Sequence, residues 1–251
     1  MASGLSPFAR VLPFATADGP TNMALDEALL ELAAPGVAVV RAYAWSVPTL
    51  SLGYFQSWDA PPIQERFRDS AIVRRPTGGG ALWHHHEITY ALVLPRDHPL
   101  SHRHTDLYQA VHERLARGLR ALGAQAGLRG HVDHTGPRPF LCFRDQDTAD
   151  VVIEEQKVIG SAQRRRAGAV LQHGSLLLRH SPSTPELVGL TDLAPRHSEG
   201  LDWAAWLADR VISAIALDPR PSTLTRDERD RAAELIAKHT GAAWTHRRVS
   251  T

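Results

Sequence analysis

The chain carries one cysteine, Cys142, and only two lysines, Lys157 and Lys238, among its 28 basic residues. A solitary cysteine makes no internal disulfide and no zinc cluster, so it is either a small buried apolar residue or a reactive thiol. Arginine stands wherever plain positive charge suffices. A retained lysine therefore marks work that a planar, permanently charged guanidinium cannot do. Lys238, in AAELIAKHTG, falls late in a helical pattern, where any cation suits the helix end. Lys157 stands between a strand-like run and the small residues Gly160, Ser161 and Ala162, which leave room for a ligand. There an ammonium can polarise an acyl carbonyl, neutralise a phosphate or favour the thiolate of a nearby cysteine.

A second group lies in RRPTGGGALWHHHEITYALVLP, from Arg74 to Pro95. Gly78, Gly79 and Gly80 remove every Cβ from a strand-to-strand turn, so the backbone can take positive φ and approach a ligand closely. N–H groups exposed in such a turn can bind a carbonyl oxygen or a phosphate, although a plain hairpin turn accounts for the glycines equally well. Arg75 and His84 flank the turn and can add charge and hydrogen bonds. No Lys-Ser/Thr pair follows, so this is not a Walker loop. Of the triple histidine, at most His84 and His86 share a strand face, and no further ligand converges on them; no metal is expected. His173 and Ser175 share a face of a later strand. They read as satisfied sheet polars rather than a Ser–His pair, because nothing in the sequence places an acidic orienter. Arg164, Arg165 and Arg166 read as a basic turn, solvated or facing an acidic partner.

The elements that must hold these groups follow from periodicity. Met23 to Ala33 is an amphipathic helix with acids Asp26 and Glu27 early in it. Strands are expected over Val37 to Trp45, Thr49 to Gly53, Ala71 to Arg74 and Ile88 to Leu94. Leu107 to Leu122 is a helix, with Leu107, Val111, Leu115, Leu119 and Leu122 on one face. Gly127 to Phe140 reads as a loop. Asp150 to Glu154, Lys157 to Ala162 and Val170 to Leu178 read as successive strands. Leu187 to Leu190, Trp203 to Ile215 and Arg226 to His239 are helical. Strands in adjacent groups predict an α/β fold of the α+β type, with a mixed, largely antiparallel sheet and flanking helices. One domain over residues 1–251 is expected, with a core at about 20–180 and a helical C-terminal part at 181–251.

Composition narrows the function classes. A net charge of +1 gives no global attraction to nucleic acid or an anionic membrane. No run of about 18 apolar residues exists, and the N-terminus shows no secretory signal. With its single cysteine, the chain is expected in the cytoplasm.

NMALDEALL at Asn22 to Leu30, RRPTGGGALWH at Arg74 to His84 and KVIGSAQRRRAGAVLQHGSLLL at Lys157 to Leu178 resemble the successive signatures of the lipoate–protein ligase A family, in order and spacing. The resemblance implies a fold related to biotin–protein ligases, with the glycine loop and the lysine segment lining an acyl-binding tunnel. Two chemistries are similar enough to consider. Ligases use ATP and magnesium to make lipoyl-adenylate, and Lys157 would then contact the adenylate. Transferases take octanoyl from acyl carrier protein through a cysteine thioester. Their nucleophile stands in a Cys-Phe segment about 15 residues before the motif lysine, the place of Cys142-Phe143 here. The long accessory C-terminal domain of larger ligases is not expected. This chain departs from the transferases at Gly80, where Arg is common, at His85, where Asp is common, and at Asp145, Gln146 and Asp147, which replace Pro-Ser-Tyr.

The resemblance thus implies octanoyl transfer, with Cys142 as nucleophile and Lys157 as its cation. Arg75, Gly78, Gly79, Gly80, His84, Gly160, Ser161, Ala162 and His173 would bind the acyl group. Octanoyl-acyl carrier protein is the implied donor, and a lipoyl domain or the glycine-cleavage H protein the acceptor. No cofactor is expected on this route, and the enzyme is expected to act as a monomer. A catalytically silent acyl- or biotin-binding protein is the third reading, and retention of both Cys142 and Lys157 counts against it.

Overall fold

Alternating side chains on two central strands organise the molecule. In β3 (Val37–Trp45), Val40 and Ala42 face one way and Val39 and Tyr43 the other, and all four are buried. In β7 (Glu87–Leu94), Tyr90, Leu92 and Leu94 oppose Ala91 and Val93 in the same manner. Strands apolar on both faces need cover on both faces. Helices α3 (His104–Ala121) and α5 (Trp203–Ile215) cover one, with Leu107, Val111, Leu115 and Leu119 meeting Leu207 and Val211. Helix α1 (Gly19–Glu31) covers the other through Leu29 and Leu30. It is overlaid in turn by α6 (Arg226–Thr240), Ala24 and Ala28 packing on Ala232 and Leu235.

The computed structural model describes residues 7–133, 136–195 and 200–248. Residues 1–6, part of the stretch searched for a secretory signal, lie outside the described residues. So do 134–135 of the expected loop and 196–199 and 249–251 of the C-terminal part. Among the described residues the large sheet runs β12 (Asp218–Pro221), β1 (Phe8–Val11), β3, β7, β11 (Ala169–Leu177), β10 (Gln156–Arg166), β9 (Val151–Ile153), β8 (Ala126–Leu128), with β2 (Ala15–Ala17) also on β3. The pairs of β12 with β1, β1 with β3 and β2 with β3 are parallel; every pair from β3 to β8 is antiparallel. A small second sheet sets β4 (Thr49–Leu52) parallel to β5 (Ala71–Arg74) and antiparallel to β6 (Leu82–His84), over a cluster of Leu50, Leu52, Phe67 and Trp83. Short helices α2 (Pro61–Arg66), α4 (Leu190–Leu193) and α7 (Ala242–Thr245) complete the set. The expected α/β class, a mixed and largely antiparallel sheet with flanking helices, is the observed one.

Several expectations need correction. Helix α1 starts four residues before Met23, because the Asp18 carboxylate accepts the N–H of Thr21 and caps it at 2.9 Å. The loop expected from Gly127 begins as strand β8, which pairs with β9. Arg164, Arg165 and Arg166 are not a turn but the exposed end of β10; the turn is Ala167–Gly168, both with positive φ, as a two-residue hairpin requires. Leu187 to Gly189 is not helical, and the helix of that region, α4, starts at Leu190.

Candidate active site

The glycine turn joins β5 to β6, and Arg75 holds it from within. Its guanidinium donates to the carbonyls of Ser51, Gly78 and Gly80 at 2.9, 2.7 and 2.6 Å. Arg75 is thus spent on the protein's own backbone. Burial lowers its pKa, an effect that nearby Cys142 partly offsets. With two carbonyls turned to Arg75, the N–H groups of Gly78, Gly79 and Gly80 make no hydrogen bond among the described residues. Gly79 sits at φ +85°, a conformation that side chains rarely adopt. A Cβ on Gly80 would stand 2.9 Å from Phe140 O and 3.0 Å from Cys142 N, so only glycine lets that segment dock. Ala81 then pins it: Ala81 N–H donates to Phe140 O and Cys142 N–H to Ala81 O, both at 2.7 Å. Cys142 opens a short 3₁₀ turn, Cys142–Arg144, with its sulfur next to Gly79.

Lys157 reaches this sulfur through an irregularity in its strand. Lys157 pairs with Val152, but Ile159 already pairs with Val151, leaving Val158 as an extra residue in a β-bulge. Simple alternation would put residues 157 and 160 on opposite faces; one inserted residue puts them on the same face. The Lys157 side chain therefore lies over Gly160 and meets Asp150, Nζ to Oδ1 at 2.9 Å. Nζ also stands 3.1 Å from Cys142 O and 3.9 Å from Cys142 Sγ. Both charged side chains are about 95% buried, Lys157 at 5% and Asp150 at 4% exposure. Burial alone would lower the Lys157 pKa; Cys142 and Asp150 reverse this, and the net shift is upward. Lys157 is thus a permanent ammonium at neutral pH. Burial raises Asp150 by more than Lys157 lowers it. The room foreseen at Gly160 is therefore filled first by Lys157 itself.

A buried polar chain adjoins the pair. His112, on α3, places Nδ1 2.6 Å from Ala149 O. A carbonyl only accepts, so Nδ1 carries the proton. Burial pushes the His112 pKa down to about 4, so the ring is neutral and Nε2 is an acceptor. Ser161 Oγ, 2.6 Å away, must donate to it. Ser161 in turn accepts from Tyr90 OH at 2.7 Å, and Tyr90 accepts from Gln172 Nε2 at 2.8 Å. The carbonyl at one end and the neutral ring beside it together assign every proton along these groups.

His173 gains the acidic orienter that the sequence did not place. Asp26 of α1 accepts from His173 Nδ1 at 3.0 Å, from Tyr43 OH at 2.8 Å and from Arg41 Nη1 at 3.2 Å. The far ring nitrogen meets Thr77 Oγ1 at 2.7 Å, not Ser175, so His173 secures the residue that precedes the glycine turn. His84 stacks on Trp45 with ring centroids 3.7 Å apart, and bonds Glu87 and Ser51 at 2.9 and 2.8 Å. His85 and His86 leave the site and stack on each other. Among the described residues no three His, Cys, Asp or Glu gather to hold a metal.

Two cavities meet at Cys142. One is a narrow slot of about 30 Å³ with mainly apolar walls, including Met23, Tyr43, Trp45 and Leu82, along with Arg75, His84, Gly160 and His173. The other is a polar chamber of about 280 Å³, walled by Gly78, Gly79, Tyr108, His112, Asp147, Asp150 and Lys157. Cys142, Ser161 and Ala162 line both. An apolar slot suits part of a methylene chain, and a polar chamber suits polar reactants. The structure thus places Arg75, Gly78, Gly79, His84, Gly160, Ser161, Ala162 and His173 around Cys142, with Gly80 standing behind, against the Cys142 backbone. Sequence reasoning missed Asp150, His112, Tyr90 and Asp26. Only Asp150 left a signal, an acid one short hairpin away from Lys157.

The family model described as the lipoyl protein ligase A/B catalytic domain matches residues 18–188. Octanoyltransferase LipM of Kyrpidia tusciae is 34% identical, over 90% of this chain and 94% of its own length. Octanoyltransferase LipM of Moorella thermoacetica is 34% identical, over 95% and 98%. Among solved structures, lipoate-protein ligase A bound with ATP superposes with a TM-score of 0.74 at 23% identity, covering 95% of this chain and 98% of that one. A T. acidophilum protein with bound lipoic acid gives 0.71 at 22% identity, with the same coverage.

Proposed function

This chain belongs to the lipoyl protein ligase A/B catalytic-domain family, and from that membership we propose that it is an octanoyltransferase acting through a thioester on Cys142. Octanoyl transfer is the activity named for relatives aligned over nearly the whole chain, and protein lipoylation is the process we assign to it. The observation that carries the chemistry is the position of Lys157 Nζ, 3.9 Å from Cys142 Sγ where slot and chamber meet.

The ammonium favours the thiolate, which attacks the carbonyl carbon of an octanoyl thioester. The bond from carbon to the donor sulfur breaks, and the departing thiolate takes a proton. Negative charge on the carbonyl oxygen develops beside the unengaged N–H groups of the glycine turn, which can receive it without reorganising. The heptyl tail of the octanoyl group points into the apolar slot, which at about 30 Å³ must widen to take it. A lysine amine then attacks the acyl-enzyme; carbon–nitrogen bonding replaces carbon–sulfur, and the surplus amine proton returns to Cys142.

A lipoyl-domain protein is the acceptor class that the relatives imply, with the glycine-cleavage H protein as one candidate and octanoyl-acyl carrier protein as donor. The route consumes no ATP and needs no metal, and its place is the cytoplasm. Among the described residues no helix is long and apolar enough to cross a membrane. Incubation with octanoyl-acyl carrier protein, without ATP, followed by intact-mass measurement should show one octanoyl adduct, absent in Cys142→Ser. An adduct or product formed only with ATP and free acid would replace this reading by the ligase.

A further inference from the structure

The geometry assigns the polar chamber beside Cys142 to the acceptor amine, with Ser161 Oγ as the atom that accepts a hydrogen bond from it. This rests on the acyl-enzyme reading above and deepens it.

Ser161 lines both slot and chamber, beside the sulfur that would carry the acyl group. A serine hydroxyl normally offers one donor and two acceptor sites. Here the donor is committed to His112 Nε2 at 2.6 Å, because Ala149 O holds the other ring nitrogen as N–H. One acceptor site is taken by Tyr90 OH at 2.7 Å. What remains for a ligand in the chamber is a lone pair, and nothing else. Ser161 therefore selects an N–H or O–H donor and turns away a carbonyl oxygen. Of the two reactants at the acyl-enzyme stage, the thioester presents a carbonyl and the lysine presents an amine. The amine is the one that Ser161 can hold.

The neighbouring charges suit the same reactant. Asp147 is exposed on the chamber wall, and no basic side chain pairs with it among the described residues. It favours arrival of a lysine in its charged form. Deeper in, Lys157 is already an ammonium, and a second one close by is disfavoured, so the entering lysine sheds its proton to solvent. The neutral amine donates one hydrogen to Ser161 Oγ, which aims its lone pair at the acyl carbon. The carbon–nitrogen bond forms, the carbon–sulfur bond breaks, and the electron pair returns to Sγ. The extra proton on nitrogen passes to that sulfur. His112 takes no proton in this sequence. It acts as a positioning residue that keeps the Ser161 hydrogen out of the chamber.

The test separates the two half-reactions by rapid-quench intact mass. Octanoyl-pantetheine serves as donor and Nα-acetyl-lysine amide as acceptor. Two variants are compared with wild type. Ser161→Ala removes the acceptor atom. His112→Asn keeps a donor for Ala149 O but frees the Ser161 hydrogen to turn inward. In both, the ratio of the aminolysis rate to the acylation rate should fall by about tenfold, the scale of one well-made hydrogen bond. A merely structural role would slow both steps together and leave the ratio at its wild-type value, and that outcome overturns the assignment. Circular dichroism of each variant excludes loss of fold as the cause. A wild-type protein that forms no acyl-enzyme overturns the thioester reading itself, which distinguishes that failure from this one.

Discussion

The side chain of Lys157 lies along the bare backbone of Gly160: a Cβ at residue 160 would stand 3.0 Å from Nζ and closer still to Cε. The absent methyl is what lets the ammonium reach Asp150 and Cys142 together. In Gly160→Ala the lysine must shift by a sizeable fraction of an ångström. Turnover should drop by about 100-fold, the usual cost of misplacing a reacting group by that order of distance. Thermal unfolding should remain cooperative. Wild-type turnover in this variant would show that the lysine position is not critical.

The two lysines should respond differently to arginine. Lys157 Nζ is held by Asp150 and the carbonyls of Cys142 and Asp145 over the bare backbone of Gly160, a set of contacts that a longer, planar fork cannot reproduce. Lys157→Arg should lose at least about tenfold in activity. Lys238 pairs with Glu27 at 2.6 Å from a position 30% exposed, where a guanidinium also fits. Lys238→Arg should stay within about twofold of wild type. Steady-state rates for both variants decide the matter; equal losses would remove the argument from lysine usage.

Glu27 makes stability depend on acid. Burial alone would raise its pKa, but hydrogen bonds from His239 and Lys238 and their charges outweigh burial and hold it at about 2, against an ordinary 4.5. A depressed carboxyl contributes stability above the unfolded value and loses it as pH falls through the folded one. The contribution should be complete above pH 4.5 and fade toward pH 2. Allowing for screening of the partly exposed Lys238, it is about 2 kcal/mol. In urea titrations, wild type should exceed Glu27→Gln by that amount at pH 6, and the gap should narrow by pH 3. A gap that does not change with pH would mean that Glu27 is not the titrating group.

Arg74 gathers backbone carbonyls from two distant segments. Its guanidinium donates to Gly53, Tyr54 and Gln56 on one side and to Trp244, Thr245 and Arg247 on the other. Burial holds its pKa down at about 10, with the charges of Arg247 and Arg75 adding to the effect. Arg74→Met leaves those carbonyls without a donor, and unfolding free energy should fall by about 3 kcal/mol or more. Limited proteolysis should cut first near residues 244–247. Unchanged stability would mean that water satisfies the carbonyls equally well.

Much of the site was legible before any coordinates. Lysine scarcity singled out Lys157, the resemblance to cysteine transferases singled out Cys142 fifteen residues earlier, and the structure brings the two into contact range. The glycine run was rightly placed between two strands. Its use was only half visible, since nothing local says that Arg75 would grip two of its carbonyls. His173 is the clearest case of missing information. Its orienting acid, Asp26, lies 147 residues earlier on a helix that packs across the sheet. His112 was hidden by its setting, beside the apolar stripe of α3, where a histidine ordinarily signals nothing.

The sequence by itself determined the class of fold and most of its longer strands and helices, and its resemblance to a known family pointed to Cys142 and Lys157. The elements rest on spacing within a short stretch: alternation for strands and a 3.6-residue repeat for α3. The tertiary structure decided which polar groups face one another. It inserted Val158 as a bulge and so turned Lys157 over Gly160; it brought Ala149 to His112 and so fixed the direction of the Ser161 hydrogen. Hydrogen-bond direction and ion pairing act over about 3 Å, and whether two groups come that close depends on how whole elements pack, which no local pattern encodes.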